Sequence, residues 1–213
     1  AFQSLLASLL CIVLGLFLGY LVLLLINPAG AGEAILTVIK NFMTYNRPAS
    51  QLKYFGNTLV KTAPLLMCAL SVLFAYKVGL FNIGAAGQYT LGAFGGLVFA
   101  LLLHAPWWVC LLASTVFGAI WGAIPGIFKA YLNVNEVITA IMFNWIGMYL
   151  VNLLLANMPN MLASGWGASN SDRTAALNVA NPGAILPRGP FAALFGNSSW
   201  INISIIITII FAI

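Results

Sequence analysis

The sequence predicts an all-α fold, a polytopic transmembrane helical bundle of about six spans, and three observations carry that prediction. Of 213 residues, 62% are hydrophobic and only 5% are charged, whereas a soluble domain carries about 25% charged residues. So few charges cannot cover a protein surface with polar groups, and lipid is the solvent for most of the chain. The apolar residues fall in continuous runs close to the ~20 residues that a helix needs to cross a bilayer. The runs do not alternate polar with apolar, as the strands of a membrane barrel would.

The first run, Leu5–Ile26, is long enough to span and has no small-residue cleavage site, so it reads as a membrane helix and not as a signal peptide. A polar interval, 27–57, carries Glu33, Lys40, Arg47 and Lys53, with an amphipathic helix expected over 32–44. The second span, 59–76, is flanked by Lys61 and Lys77, whose long stems reach the interface. Pro64 sits in its first turns, where a missing N–H matters least. The third, 80–103, is interrupted near its start by Asn82-Ile-Gly-Ala-Ala-Gly-Gln88; the fourth, 107–128, contains Pro125 and ends at Lys129. After a short polar loop comes the fifth, 137–155. A long interval, 157–199, is rich in Asn, Ser, Gly and Pro and carries Asp172, Arg173 and Arg188 before the sixth, 200–213. The chain has no initiator Met and is still apolar at Ile213, so we expect a longer protein: one transmembrane domain over 1–213, incomplete at its C-terminus.

The net charge of +5 comes from basic residues spread singly between apolar runs. No basic patch forms that could track phosphates, which argues against nucleic acid as a partner. Cys11, Cys68 and Cys110 lie inside apolar runs without metal-ligand spacing, and read as small packing residues. The single His104, beside Pro106, Trp107 and Trp108, fits a membrane interface. Three acidic residues and one His are too scattered for a catalytic constellation, and no phosphate-binding Walker motif occurs, so the chain is not expected to hydrolyse ATP or to hold a cofactor or metal. Charge alone leaves the orientation open: the long intervals and Lys61 carry more cations than the short loops, which have few residues to charge.

Polar residues at membrane depth need a reason. In Gly79-Leu-Phe-Asn-Ile-Gly-Ala-Ala-Gly-Gln-Tyr89, Gly84 and Gly87 weaken the helix and allow a break. Broken helices expose backbone groups that are tolerated only against protein or a cavity, and they build substrate sites in transporters. The alternative is close packing, because Gly84, Gln88, Gly92 and Gly96 recur every four residues. A second small-residue stripe, Gly118, Gly122 and Gly126, marks the fourth span. On the fifth, Glu136, Ala140, Asn144, Met148 and Asn152 share one face, with Thr139 beside them. That face serves either interhelical hydrogen bonds or a polar solute's route through Asn144 and Asn152.

Three blocks, Ala63-Pro64-Leu65-Leu66, Lys77-Val-Gly-Leu-Phe-Asn-Ile-Gly-Ala-Ala-Gly-Gln88 and Asn135-Glu-Val-Ile-Thr-Ala-Ile-Met-Phe-Asn-Trp145, resemble the permease subunits of bacterial ABC importers for nucleosides and simple sugars, relatives of the branched-chain amino acid and ribose permeases. The likeness runs from about residue 57 to 152, and more weakly around Ile185-Leu-Pro187. The chain departs from the family at Ala86, where many members carry an acidic residue, and it ends before the family's cytoplasmic coupling segment. The resemblance implies a multi-pass protein of the bacterial inner membrane. Its partners would be ABC ATPase subunits, a second homologous permease and an extracellular solute-binding lipoprotein. It implies long loops outside and a cytoplasmic loop holding Lys129, Asn135 and Glu136. Transport would proceed by alternating access, with Asn82, Gln88, Tyr89, Asn144 and Asn152 as the expected pathway wall. Amides and hydroxyls suit a neutral polyhydroxylated solute and suit a phosphorylated one poorly. The rival accounts are an intramembrane enzyme, for which ionisable groups are lacking, and an ion-coupled carrier or channel, for which Glu136 is the candidate carboxylate.

Overall fold

A computed structural model of the chain describes residues 2–167, 173–196 and 200–212; the loop charge Asp172 and the terminal Ile213 lie outside them. Helix dominates the described residues: α1 (Phe2–Ile26), α2 (Ala31–Lys40), α3 (Pro48–Lys77), α4 (Ala85–Leu101), α5 (Trp107–Leu132), α6 (Glu136–Ala156), the short α7 (Leu177–Ala180) and α8 (Phe191–Phe195), and α9 (Ser204–Ala212). Among them, α1, α3, α5 and α6 are long and apolar enough to cross a membrane. The protein is a multi-pass helical membrane protein, and its widespread exposed apolar surface is what a lipid-facing surface requires. Residues group into two compact units, Ala1–Thr58 with Pro190–Trp200, and Leu59–Gly189 with Ile201–Ile213.

In the first unit α1 has no buried residue in its span. The turn into α2 is fixed by Asn27, whose Oδ1 accepts the Gly30 N–H at 3.2 Å. The amphipathic segment expected over 32–44 divides into α2 and a 3₁₀ turn, Asn41–Thr44. Tyr45 stacks on Tyr54 at 4.0 Å between ring centroids, and Gln51 Nε2 donates to the Tyr45 carbonyl at 2.7 Å. The Trp200 N–H donates to Asn57 Oδ1 at 2.7 Å.

In the second unit α4 packs against both α5 and α6. At 1.5 Å per residue its 17 residues reach only about 26 Å, short of the ~30 Å hydrocarbon thickness. The chain before it is not helical: Gly79 has φ +79°, a left-handed conformation that a side chain resists, and residues 78–84 run as turns. The predicted interruption is therefore a true break, with the third helix starting at Ala85 and not at residue 80. α5 ends in a left-handed Asn133 (φ 50°), with the Val134 N–H closing back on the Phe128 carbonyl at 3.2 Å. Asn135 then caps α6, its Oδ1 accepting the Val137 N–H at 2.9 Å.

The described part of the long interval up to residue 189 is folded and not merely a linker. Met161, fully buried, and Ala175 join Leu91, Phe94 and Leu101 of α4 and Val151 of α6 in one apolar cluster. An antiparallel bridge at Leu162 and Thr174 holds this stretch, with the Ala175 N–H donating to the Met161 carbonyl at 2.8 Å. Asn181 ties the interval down: its Nδ2 donates to the Ala100 carbonyl at 2.9 Å and the Ala105 carbonyl at 3.0 Å, where α4 has ended. Replacing Asn181 by alanine is expected to cost about 2 kcal/mol and to speed proteolysis within 157–189. Thermal melts and limited digestion of the full-length protein in detergent check this, and an unchanged digestion rate would refute the latch.

Candidate solute pathway

The break before α4 leaves backbone groups without helical partners. Asn144, on α6, satisfies both sides of it: its Oδ1 accepts the Gly87 N–H at 2.8 Å, and its Nδ2 donates to the Ile83 carbonyl at 3.0 Å. A side chain from another helix thus performs the N-capping that α4 lacks locally, since Gly84 at the cap position has no side chain to offer. This works because Gly87 lets α6 approach; a Cβ there would lie 3.1 Å from both the Asn144 Cα and the Phe143 carbonyl oxygen. Trp121 reinforces the same place, donating its indole N–H to the Phe143 carbonyl at 3.2 Å.

Next to the break is a polar cluster. Asn82 and Gln88 form a reciprocal amide pair, Asn82 Nδ2 to Gln88 Oε1 at 3.2 Å and Gln88 Nε2 to Asn82 Oδ1 at 3.1 Å. Asn82 Nδ2 also donates to Ser71 Oγ of α3 at 2.9 Å. Glycines on two sides leave room for the pair: a Cβ at Gly122 would sit 2.9 Å from Gln88 Nε2, and one at Gly84 would sit 3.3 Å from Asn82 Oδ1.

Two cavities meet at this cluster. The smaller, about 200 Å³, is lined by Phe74, Phe81, Asn82, Pro125, Gly126 and the Lys129–Glu136 ion pair, together with Ser71 and Gln88. That ion pair closes at 2.9 Å across the short α5–α6 connection. The larger, about 530 Å³, is lined by α3 (Met67, Cys68), α5 (Leu111, Ser114), Tyr89, and Asn202, Ser204 and Thr208 at α9, again with Ser71 and Gln88. Among the described residues its lining contains no charged one. The Ser204 hydroxyl is buried there without a hydrogen-bond partner among the described residues, an arrangement that costs roughly 1–3 kcal/mol unless something satisfies it.

Of the residues expected to line a pathway, Asn82, Gln88 and Tyr89 fall on the two cavities, with Tyr89 half exposed. Asn144 lines neither, because both ends of its amide are engaged by backbone. Asn152 is exposed on α6, two turns beyond Asn144, and lines neither. The glycines divide. A Cβ on Gly92 would meet the Ser114 carbonyl oxygen at 3.0 Å, one on Gly96 would overlap the Ser114 hydroxyl, and one on Gly118 would meet the Gln88 carbonyl at 3.3 Å, so these hold α4 and α5 together. Gly126, expected as the third member of its stripe, has open space beside it and borders the smaller cavity instead. Sequence reading passed over Ser71, Ser114, Asn202, Ser204 and Thr208, whose small hydroxyls and amide look like packing in apolar runs. It also passed over Gly95, where a Cβ would come within 2.5 Å of the Phe117 ring.

The family model described as branched-chain amino acid transport system / permease component matches residues 54–213. The chain is 33% identical to the guanosine ABC transporter permease protein NupP of Bacillus subtilis (strain 168), over 73% of this chain and 44% of that protein. It is 32% identical to the nucleoside ABC transporter permease protein NupB of Lactococcus lactis subsp. cremoris (strain MG1363), over 98% of this chain and 55% of that protein. A shorter match, 40% identical over 47% of this chain and 28% of the relative, is to the glucose ABC transporter permease protein TsgB13 of Haloferax volcanii. The chain thus spans about half the length of the first two of these curated relatives. No solved structure matches it. The family model covers most of the chain, and the chain belongs to the branched-chain amino acid transport system permease-component family.

Proposed function

We propose that the chain forms part of the solute pathway of an ATP-driven importer for a nucleoside or simple sugar, in a bacterial inner membrane. In this reading 1–213 is part of one permease domain. ATP hydrolysis belongs to partner ABC ATPase subunits, a second homologous permease completes the pathway, and an extracellular solute-binding lipoprotein delivers the solute. The observation that carries the reading is the larger cavity: about 530 Å³, amphipathic, and with no charged residue among its described lining. Pockets for small molecules run from about 300 to 1,000 Å³, mostly apolar with a few placed polar groups. Apolar walls at Met67, Leu111 and Ile207 suit a base or a sugar's C–H face, while Gln88, Tyr89, Ser114 and Asn202 offer donors and acceptors without fixed charge. The relatives' names, guanosine, nucleoside and glucose, share that neutral, hydroxyl-rich chemistry. An ion-coupled carrier is disfavoured, since Glu136 is already paired with Lys129.

A native residue supplies the test. Cys68 lines the larger cavity, while Cys11 is exposed and Cys110 buried. In a Cys11→Ser background of the full-length protein with its partner subunits, maleimide alkylation of Cys68 is expected to cut radiolabelled guanosine or glucose uptake at least tenfold. The transported solute should slow the alkylation, and guanosine monophosphate should not. Full uptake by the alkylated protein, with no protection by either solute, would rule the pathway out.

A further inference from the structure

Gln88 is placed differently from every other polar residue at the break. Ser71 and Gln88 border both cavities, and Asn82 borders only the smaller one. Asn82 has two anchors, the Gln88 amide and the Ser71 hydroxyl. Among the described residues the Gln88 carboxamide bonds only Asn82, through a donor and an acceptor side by side. Gly122 and Gly84 keep open the space around that carboxamide. The pair therefore stands where the two cavities meet, and Gln88, its one member that borders both, is held by a single partner among the described residues.

We propose that Gln88 is the specificity-determining residue of the pathway: its carboxamide exchanges Asn82 for an adjacent donor–acceptor edge on the solute as the solute moves from the larger cavity to the smaller. The inference rests on the proposed solute pathway and deepens it. In a water-poor interior an unpaired amide is costly, so the pair opens only when an equivalent two-point partner replaces it. A carboxamide meets such an edge bidentately, as Asn and Gln do with the amino and ring-nitrogen positions of a purine. A nucleobase provides this edge, and a vicinal diol provides a second source of the same chemistry. Solutes lacking an adjacent donor and acceptor leave Gln88 on Asn82 and the way closed. During the exchange Asn82 Nδ2 keeps its bond to Ser71, while Asn82 Oδ1 gives up the Gln88 donor, a cost that the solute's two-point contact must offset.

The test separates an exchanging residue from a merely structural pair. Gln88→Leu and Asn82→Leu both break the two hydrogen bonds of the pair, and Asn82→Leu loses the Ser71 bond as well, so a structural role predicts at least as large a change in uptake kinetics from Asn82→Leu. Exchange predicts that Gln88→Leu raises the KM for radiolabelled guanosine or glucose at least tenfold. Asn82→Leu is expected to hold KM within threefold while altering the maximal rate, since it removes only the resting partner. KM is read per functional transporter, so partial misfolding does not mimic the result, and the swap Asn82→Gln/Gln88→Asn rebuilds the pair as a folding control. A KM rise confined to guanosine places the edge on the base; a rise confined to glucose places it on the diol. A KM change in Asn82→Leu at least as large as that in Gln88→Leu overturns the exchange. The pathway reading fails separately, by loss of solute protection at Cys68 in the parent protein.

Discussion

Asn144→Leu is expected to destabilise the full-length protein by about 2–4 kcal/mol, because two partly buried backbone groups lose their partners at once and a buried group costs about 1–3 kcal/mol unsatisfied. The groups are the Gly87 N–H and the Ile83 carbonyl, which Asn144 bonds at 2.8 and 3.0 Å. In a water-soluble protein a solvent molecule could take the place of the lost amide; among packed helices in lipid, that rescue is restricted. Leucine keeps the branched skeleton of asparagine but carries no polar atom and is bulkier, so Asn144→Ala beside it separates lost hydrogen bonds from altered packing. The readout is the thermal midpoint in detergent, expected to fall by roughly 10 °C, with the KM of any surviving transport unchanged. The opposite pattern, a raised KM with an unmoved midpoint, would favour the solute route, one of the two roles that its helical face left open.

How much of this was legible follows from the range over which each feature is encoded. The long apolar runs announce α1, α5 and α6 because the requirement is local: enough consecutive apolar residues to cross. The same reasoning places the start of the second helix at residue 59, whereas α3 begins at Pro48. Hydropathy registers only the part of a helix that lipid surrounds, and the polar turns before it are carried by Pro48, whose fixed φ suits a first turn. The break is also local, written in Gly79, Gly84 and Gly87. Its partner is not: Asn144 lies 57 residues beyond Gly87, and no periodicity links the two. Asn144 stood out as polar at depth, but whether it met backbone or solute was decided by a tertiary contact. The larger cavity was least visible, since Ser114, Ser204 and Thr208 are small enough to sit in a membrane helix for packing alone. Met161 illustrates the same limit, an apolar residue in a polar interval whose burial depends on how the interval folds back over α4.

The glycines provide a second large effect with its own internal control. Gly92 and Gly126 were read alike, as members of four-residue stripes, yet they meet different surroundings. A Cβ on Gly92 would approach the Ser114 carbonyl oxygen at 3.0 Å, with the Gly118 backbone at 3.8 Å behind it; beside Gly126 nothing lies within 4 Å. Between helices in lipid the hydrophobic effect contributes little, and close backbone approach through small residues is what holds them. Gly92→Leu forces α4 and α5 apart against a carbonyl fixed in its own helix, so the neighbour cannot rotate away as a side chain would. Overpacking of this kind costs typically 1–3 kcal/mol and sometimes more, and here we expect the upper end, about 3 kcal/mol, with loss of transport. Gly126→Ala removes a flexible residue from the interior of α5 without a clash and is expected to gain up to about 1 kcal/mol from helix propensity. Melting of both variants beside the parent decides the matter. Similar losses at both sites would mean that the stripe acts as one packing seam through Gly126. A loss at Gly92 with a gain at Gly126 would mean that the seam between α4 and α5 ends before Gly126, where α5 turns toward the smaller cavity.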